Sequence, residues 1–467
     1  MSRAAGVLCA VVTALRLAWA AAADLAPDEA YYWTWTLGAP ARDHPPGVAW
    51  LVRAGTVLAG DTALGVRLGA VACGAAVILL VWAIVREAIG RDDPDAEPWA
   101  LLAAAVTGLS PLGAAAAVIA TPDAGLAAAW CAALYGLVRA ERARHAARAR
   151  SGLWIAGAAT AAGLLFKLTM GLFPLVALAT LASSAHGRAL LRGPHAWGAA
   201  LLAAVPLVWM ALAAPAPFAF QLARAAGRPG GLGAAAGLLG AQVALATPVV
   251  ALGAAAFLGA RAHRGGALWW SAVVPLGFFA LVALFTLPEA SWPGPAHVGA
   301  IAGAVLWTRE RLAATGSGAR ALRLRQAISI GAVLAIAVGV LAHVQALVPL
   351  LPIRAPLVDP TERLSGWRGA GAAWAALRDG APAVPAAAAG YGLAAELRFY
   401  DHPQHRPVAV LDALPVAAAT PLLVVTGADP GGAAVAPPCP AAPRALSGAR
   451  AGRPPRSLLV TRCPPSP

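Results

Sequence analysis

Charge is what this chain has least of. Of its 467 residues only 12% are charged, while 60% are hydrophobic. A composition this apolar excludes an ordinary soluble domain. Acidic side chains number 21 against 35 basic ones, so each carboxylate carries weight. Lysine is almost missing: Lys167 is the single one, and the other Lys-or-Arg positions are all arginine. Abundant alanine, glycine and proline lower the weight of any one of those residues. Cysteine is sparse too, with 5 in all. Cys9, Cys73 and Cys131 lie in apolar runs and read as inert. Cys439 and Cys463 both lie in the tail, where an oxidising compartment would let them pair. The formal charge of +14 would suit nucleic acid. The arginines, however, sit in short loops between apolar runs, where membrane topology accounts for them, so no nucleic-acid partner is expected.

What the chain does have is apolar runs long enough to cross about 30 Å of hydrocarbon, recurring along most of its length. They predict an all-α polytopic membrane protein with about eleven transmembrane helices. The expected spans are 5–22, 63–85, 99–120, 121–138, a run at 153–183 broken at 167–171 into two, 196–213, 238–258, 268–286, 296–307 and 327–348. The first resembles a signal peptide but reads as an uncleaved span, because a multispanning chain continues from it. With a cytoplasmic N-terminus, every arginine-dense loop falls inside, as the positive-inside rule requires. The loop at 24–62, the turns at Asp123, Lys167 and Glu289, and the tail then fall outside. Residues 1–348 are thus expected to be the transmembrane domain, with 24–62 as its first outer (periplasmic) loop. Residues 349–467 are expected to be a small periplasmic α/β domain. Its helices are placed at 367–377 and 393–400 and its strands at 383–389, 408–411, 422–425 and 458–461, with loose order from 431 onward.

The densest polar stretch is PDEAYYWTWTLGAPARDHPP at 27–46. Pro27 suits a first helical turn, and Asp28 and Glu29 then lie at the helix's positive end. Ala30, Trp33 and Leu37 share a face, which predicts an interfacial helix lying on the membrane; 47–58 reads as a second. Taken singly, each acid has a plain reading: Asp28 and Glu29 as helix-start residues, Asp123 as the start of a span, Glu289 as a solvated turn acid, His44 as a turn residue, Lys167 as a snorkelling lysine. All of them lie on one side of the membrane, and ionisable groups at a membrane boundary usually face a cavity. Transfer of a sugar from a lipid phosphate to a hydroxyl needs a base for the proton and cations or donors for the departing phosphate. Asp28 can be the base, and Lys167 and His44 can offset the phosphate. No cofactor is certain. A divalent cation held by Asp28 and Glu29 with Asp43, His44 and Glu289 is the alternative. Two rival classes are a polytopic transporter, which would show mid-membrane polar residues and repeat symmetry, and a non-catalytic lipid-binding membrane protein.

DEAYYW…DHPP resembles the first outer loop of glycosyltransferase family 39 and its relatives, the GT-C enzymes that include protein O-mannosyltransferases and aminoarabinose transferases. TPDAGLAAAW at 121–130, GLLFKLTMGLF at 163–173, LPEASWPGP at 287–295, DPTERLSGW at 359–367 and YGLAAELRFY at 391–400 resemble further family segments in the same order. The resemblance implies an inverting transfer from a polyprenyl-phosphate sugar. It implies an acceptor hydroxyl or phosphate on lipid, glycan or protein, at the periplasmic face of a bacterial inner membrane. It carries the catalytic acid onto Asp28, with Glu29 beside it, and supporting roles onto Asp123 and Glu289. His44 falls at the phosphate-side H/K-P-P position. Lys167, Tyr31 and Tyr32 complete the expected substrate-binding set. Phe166, Leu168 and Ser291 depart from the family's usual Ser, Tyr and Asn, and the segment at 206–224 lacks its polar W-N.

Overall fold

In the computed structural model, residues 2–39, 41, 43–226, 229–353, 358–411, 422–427, 441–448, 453 and 455–464 are described. They form two compact units. The first comprises Met1–Arg16, Ala41–Val48 and Ala70–Val340; the second comprises Leu17–Pro40, Ala49–Gly69 and Leu341–Pro467. The first outer loop is divided between the two, and Asp28 shares its unit with the C-terminal segment.

The helices in chain order are α1 Arg3–Ala22, α2 Pro27–Trp35, α3 Gly47–Ala59, α4 Ala63–Ile89, α5 Ala96–Leu109, α6 Pro111–Ala116, α7 Pro122–Glu141, α8 Ala146–Leu164, α9 Phe173–Ala182 and α10 Ala185–Leu191. They continue as α11 Pro194–Ala213, α12 Ala216–Ala226, α13 Leu232–Ala246, α14 Pro248–Gly259, α15 Ala267–Ala283, α16 Pro295–Thr315, α17 Ala319–Leu347, α18 Trp367–Asp379 and α19 Tyr391–Phe399. Among the described residues four helices, α1, α4, α11 and α17, are long and apolar enough to cross a membrane. The expected span at 238–258 is not one straight helix: α13 and α14 meet at 112°. The break is at Thr247, held at φ 73° in front of Pro248, where proline's ring and missing N–H interrupt the helix. The expected span at 99–120 is likewise split at Ser110-Pro111 into α5 and α6. The expected loop at 214–233 contains α12.

The first unit's core runs along α7, where Leu126, Trp130, Leu134 and Leu137 are fully buried. Trp130 Nε1 donates to Ser271 Oγ at 3.0 Å, so the largest side chain in this apolar core keeps its polar atom satisfied. Glycines set the helix spacing. A Cβ on Gly136 would meet the Ala156 nitrogen and Gly152 oxygen at 2.6 Å, so α7 and α8 approach at backbone contact. Not all arginines lie in loops: Arg16 in α1 is buried, its Nη2 donating to the Gly108 carbonyl at 2.7 Å where α5 ends.

The second unit contains a five-stranded sheet in the order β2-β1-β3-β5-β4, with β1 Ala386–Ala388, β2 Ala409–Val410, β3 Leu422–Gly427, β4 Arg444–Gly448 and β5 Arg456–Cys463. β1 pairs in parallel with β2 and β3, and β5 runs antiparallel to β3 and β4, with Val425 opposite Val460. Trp367, Trp374, Leu397, Leu423, Val425 and Leu458 form the core under α18 and α19. β4 was not expected, because RALSG shows little alternation. Cys463 is disulfide-bonded, while Cys9, Cys73 and Cys131 are free thiols. Residues 431–440, Cys439 among them, lie outside the described residues, and β4 is ordered within the stretch from 431 onward that was expected to be loose.

Candidate active site

Asp28 and Glu29, adjacent in sequence, have opposite surroundings. Pro27 opens α2 at its first turn, and Glu29 Oε2 accepts from the Ala26 backbone N–H at 2.8 Å, closing the cap. The Glu29 carboxylate also takes a two-pronged pair from Arg67 of α4, Nε to Oε1 at 2.8 Å and Nη2 to Oε2 at 2.6 Å. Both side chains are wholly buried. Arg67 donates in addition to the carbonyls of Ala20, Ala23 and Asp24 at 3.1, 2.8 and 2.6 Å. This ties the end of α1 to the start of α2 and leaves Glu29 with both oxygens engaged and no access to substrate. In this position Glu29 holds the turn beneath Asp28.

Asp28 sits at the surface of the same turn, its side chain 33% exposed. Arg363 Nη2 donates to Oδ2 at 2.8 Å, and the Tyr391 hydroxyl donates to Oδ1 at 3.2 Å. Both partners come from the C-terminal segment. Arg363 lies on the 3-10 turn Pro360–Leu364, capped by Asp359, whose Oδ1 accepts from the Thr361 N–H at 2.9 Å. Tyr391 begins α19, which packs on α2 so closely that a Cβ on Gly392 would meet Pro27 Cβ at 2.8 Å. Tyr31 lies 4.7 Å from Tyr391, ring to ring, and Tyr32 is buried behind it.

The aromatic face expected to lie on lipid is covered by protein instead. Trp33 is fully buried against Phe399 and His405, each 5.0 Å away, and its Nε1 donates to Asp61 at 2.8 Å. A third acid, Asp24, escaped notice in the sequence. It is buried and accepts from the Trp367 N–H at 2.8 Å, at the positive end of α18, while Arg368 pairs with it at 3.1 Å. Glu396 on α19 is entirely buried, with neither oxygen hydrogen-bonded among the described residues. Burial raises it well above the usual carboxylate range, outweighing the lowering effect of Arg456.

The first unit gathers the other expected residues into a second group. Lys167 Nζ donates to Asp123 Oδ1 at 2.8 Å; the lysine is nearly buried and the acid partly open. Asp123 lies in the first turn of α7 behind Pro122, and Lys167 precedes the 3-10 turn Leu168–Leu172 that breaks the 153–183 run. Gly125 and Gly47 clasp Phe166: a Cβ on either would meet its ring at 2.3 and 2.8 Å. The Gly47 N–H donates to the Leu165 carbonyl at 2.8 Å, docking the Asp43-His44-Pro45-Pro46 turn on the same break. Gln221 of α12 donates to the Asp43 carbonyl at 2.9 Å. Glu289 pairs with Arg224 of α12, whose guanidinium lies 5.3 Å over Trp292. Arg224 was missed because its segment read as a loop; its position at the end of an amphipathic eleven-residue stretch was the available signal. Burial, with Lys167 and Arg224 nearby, lowers His44 to about 3, which favours its neutral form.

Among the described residues no three His, Cys, Asp or Glu side chains cluster as metal ligands do. The carboxylates of Asp28, Glu29 and Glu289 are each paired with an arginine.

The fold is that of the GT-C glycosyltransferases, as the motif order suggested. A family model described as dolichyl-phosphate-mannose-protein mannosyltransferase matches residues 43–213. The structure is similar to that of ArnT from Cupriavidus metallidurans in the apo state, with a TM-score of 0.59 and 16% identity over 99% of this chain and 98% of that one. It is equally similar to ArnT from the same organism bound to undecaprenyl phosphate, with a TM-score of 0.60 and 17% identity over 98% of each chain. The oligosaccharyltransferase AglB from Archaeoglobus fulgidus, in complex with an inhibitory peptide and a dolichol-phosphate, superposes with a TM-score of 0.54 and 12% identity, over 91% of this chain and 70% of that one. No curated protein matches in sequence.

Proposed function

We propose that this chain is a membrane glycosyltransferase that moves a sugar from a polyprenyl-phosphate donor to an acceptor at the periplasmic face of a bacterial inner membrane, by inversion. The observation that carries the reading is the near end-to-end likeness to a protein solved with undecaprenyl phosphate bound. The base is Asp28, the part-exposed member of the acid pair. It takes the proton of the acceptor hydroxyl as that oxygen bonds to the anomeric carbon and the bond from that carbon to the phosphate oxygen breaks. The phosphate leaves with an added negative charge. Lys167 and Arg224 are the cations assigned to it, with neutral His44 as a hydrogen-bonding partner. Asp123 and Glu289 hold those two cations in place until the lipid phosphate arrives. Membrane lipids surround the bundle, which we take to cross the bilayer about eleven times, the shorter apolar helices α5 and α15 adding to the four long ones.

The test is donor turnover. Purified protein in lipid vesicles is given polyprenyl-phosphate-linked hexoses and pentoses, and release of free polyprenyl phosphate is followed by mass spectrometry. Release with at least one sugar is expected. Failure to release it with any sugar, in the presence of glycan, peptide and phospholipid acceptors, would overturn the reading.

A further inference from the structure

We infer that Tyr391 and Arg363 form, with Asp28 and Tyr31, the acceptor subsite, and that the acceptor hydroxyl belongs to a sugar ring. The inference rests on the proposed glycosyl transfer and names its acceptor class. The four side chains lie together in the second unit. Tyr391 is 52% exposed and Arg363 58% exposed, yet both bond the carboxylate assigned as base. The supports behind them are firm. Asp359, which caps the Arg363 turn, is buried and receives Gln345 at 2.8 Å and Arg453 at 3.0 Å. The Arg363 carbonyl accepts from Trp367 Nε1 at 2.9 Å. A surface arginine held this way is placed, and its unused N–H groups project a fixed fork of donors.

The chemistry of the group matches a carbohydrate. Tyr31 and Tyr391 make a tilted pair at 58°, an amphipathic aromatic wall against which the apolar face of a sugar ring can lie. The carboxylate beside it accepts from hydroxyls, and the guanidinium donates to them in pairs. The bond from Tyr391 to Oδ1, at 3.2 Å, is longer than that from Arg363 to Oδ2, at 2.8 Å. An acceptor hydroxyl therefore reaches Oδ1 on the Tyr391 side, while Arg363 keeps the carboxylate from turning.

The experiment uses the full chain in vesicles with a donor shown to turn over. Three acceptors are compared: a simple alkyl glycoside, a Ser/Thr-containing peptide and a phosphorylated glycolipid blocked at its free hydroxyls. Transfer to the glycoside is expected. Tyr391→Ala should raise the glycoside KM about tenfold or more with the donor KM held, and Tyr391→Phe should recover most of that loss. Arg363→Gln should lower kcat, and Arg363→Lys should restore part of it. Turnover that goes to the peptide or to phosphate groups in preference overturns the acceptor class. An unchanged glycoside KM in a folded Tyr391→Ala variant overturns the subsite. Absence of donor turnover with every acceptor fails the underlying glycosyl transfer instead, so the two failures are told apart.

Discussion

Replacing Arg67 with alanine separates the two acids of the first loop by consequence. Arg67 is fully buried, makes two short bonds to a fully buried Glu29, and satisfies three backbone carbonyls at the end of α1 and just beyond it. Removing one partner of a buried pair leaves the other as an uncompensated charge, a loss of about 3–5 kcal/mol. Three carbonyls lose their donor at the same time, each worth about 1 kcal/mol, although water entering the cavity recovers part of that. We expect Arg67→Ala to lose about 4–6 kcal/mol, the sum of those terms after partial rehydration. Arg67→Lys recovers little, because an ammonium cannot reproduce the fork. Equilibrium unfolding in mixed micelles reads the loss. A double-mutant cycle with Glu29→Ala isolates the pair, and a coupling of at least 2 kcal/mol is expected for groups this desolvated. A single-variant loss under 1 kcal/mol, or strict additivity in the cycle, would refute the claim that Glu29 is a structural acid.

Three further outcomes follow from the same geometry. Gly125→Val drives a methyl into the Phe166 ring, which cannot retreat because Gly47 backs it. We expect about 1–3 kcal/mol of destabilisation, and a loss of donor turnover through the displaced Lys167, both measurable on one purified sample. His44 is held near 3 in the folded chain, so between about 3 and its ordinary value of about 6.5 the unfolded state binds the extra proton, and stability falls as pH drops through that window. His44→Gln should flatten the curve there, as thermal midpoints at pH 4 to 7 would show. Glu396 carries the opposite sign: its folded form keeps the proton, so its contribution weakens as pH rises above about 4.5. Glu396→Gln should stabilise the chain at pH 8 more than at pH 4, and an equal effect at both would contradict its being neutral.

Much of this fold was legible because hydrophobic runs and helix-start signals are local. Pro27, Pro122 and Pro295 each open a helix where the sequence placed a turn. The small α/β segment emerged from short strands and two amphipathic helices, missing only β4. The bend between α13 and α14 was hidden because ALATPVVALG reads as continuous apolar span, and only Thr247's positive φ turns the chain. The candidate site was half legible. Composition and motif order singled out Asp28 and Lys167. They could not show that Arg67, one arginine among many in a GC-rich-looking sequence, buries Glu29. Nor could they show that residues more than 300 positions away, Arg363 and Tyr391, reach back to Asp28. Such pairings depend on how the chain closes on itself. Periodicity carries no trace of them.

The central claim is that Asp28 is the base. Its most direct measurement is the single-turnover rate of sugar transfer by Asp28→Asn in vesicles, beside wild type and Glu29→Gln, with unfolding followed on the same samples. General-base removal costs about 10²–10⁴ in rate. The account predicts that loss for Asp28→Asn at near-wild-type stability, and for Glu29→Gln a loss of stability first. An Asp28→Asn enzyme that turns over at the wild-type rate would contradict it.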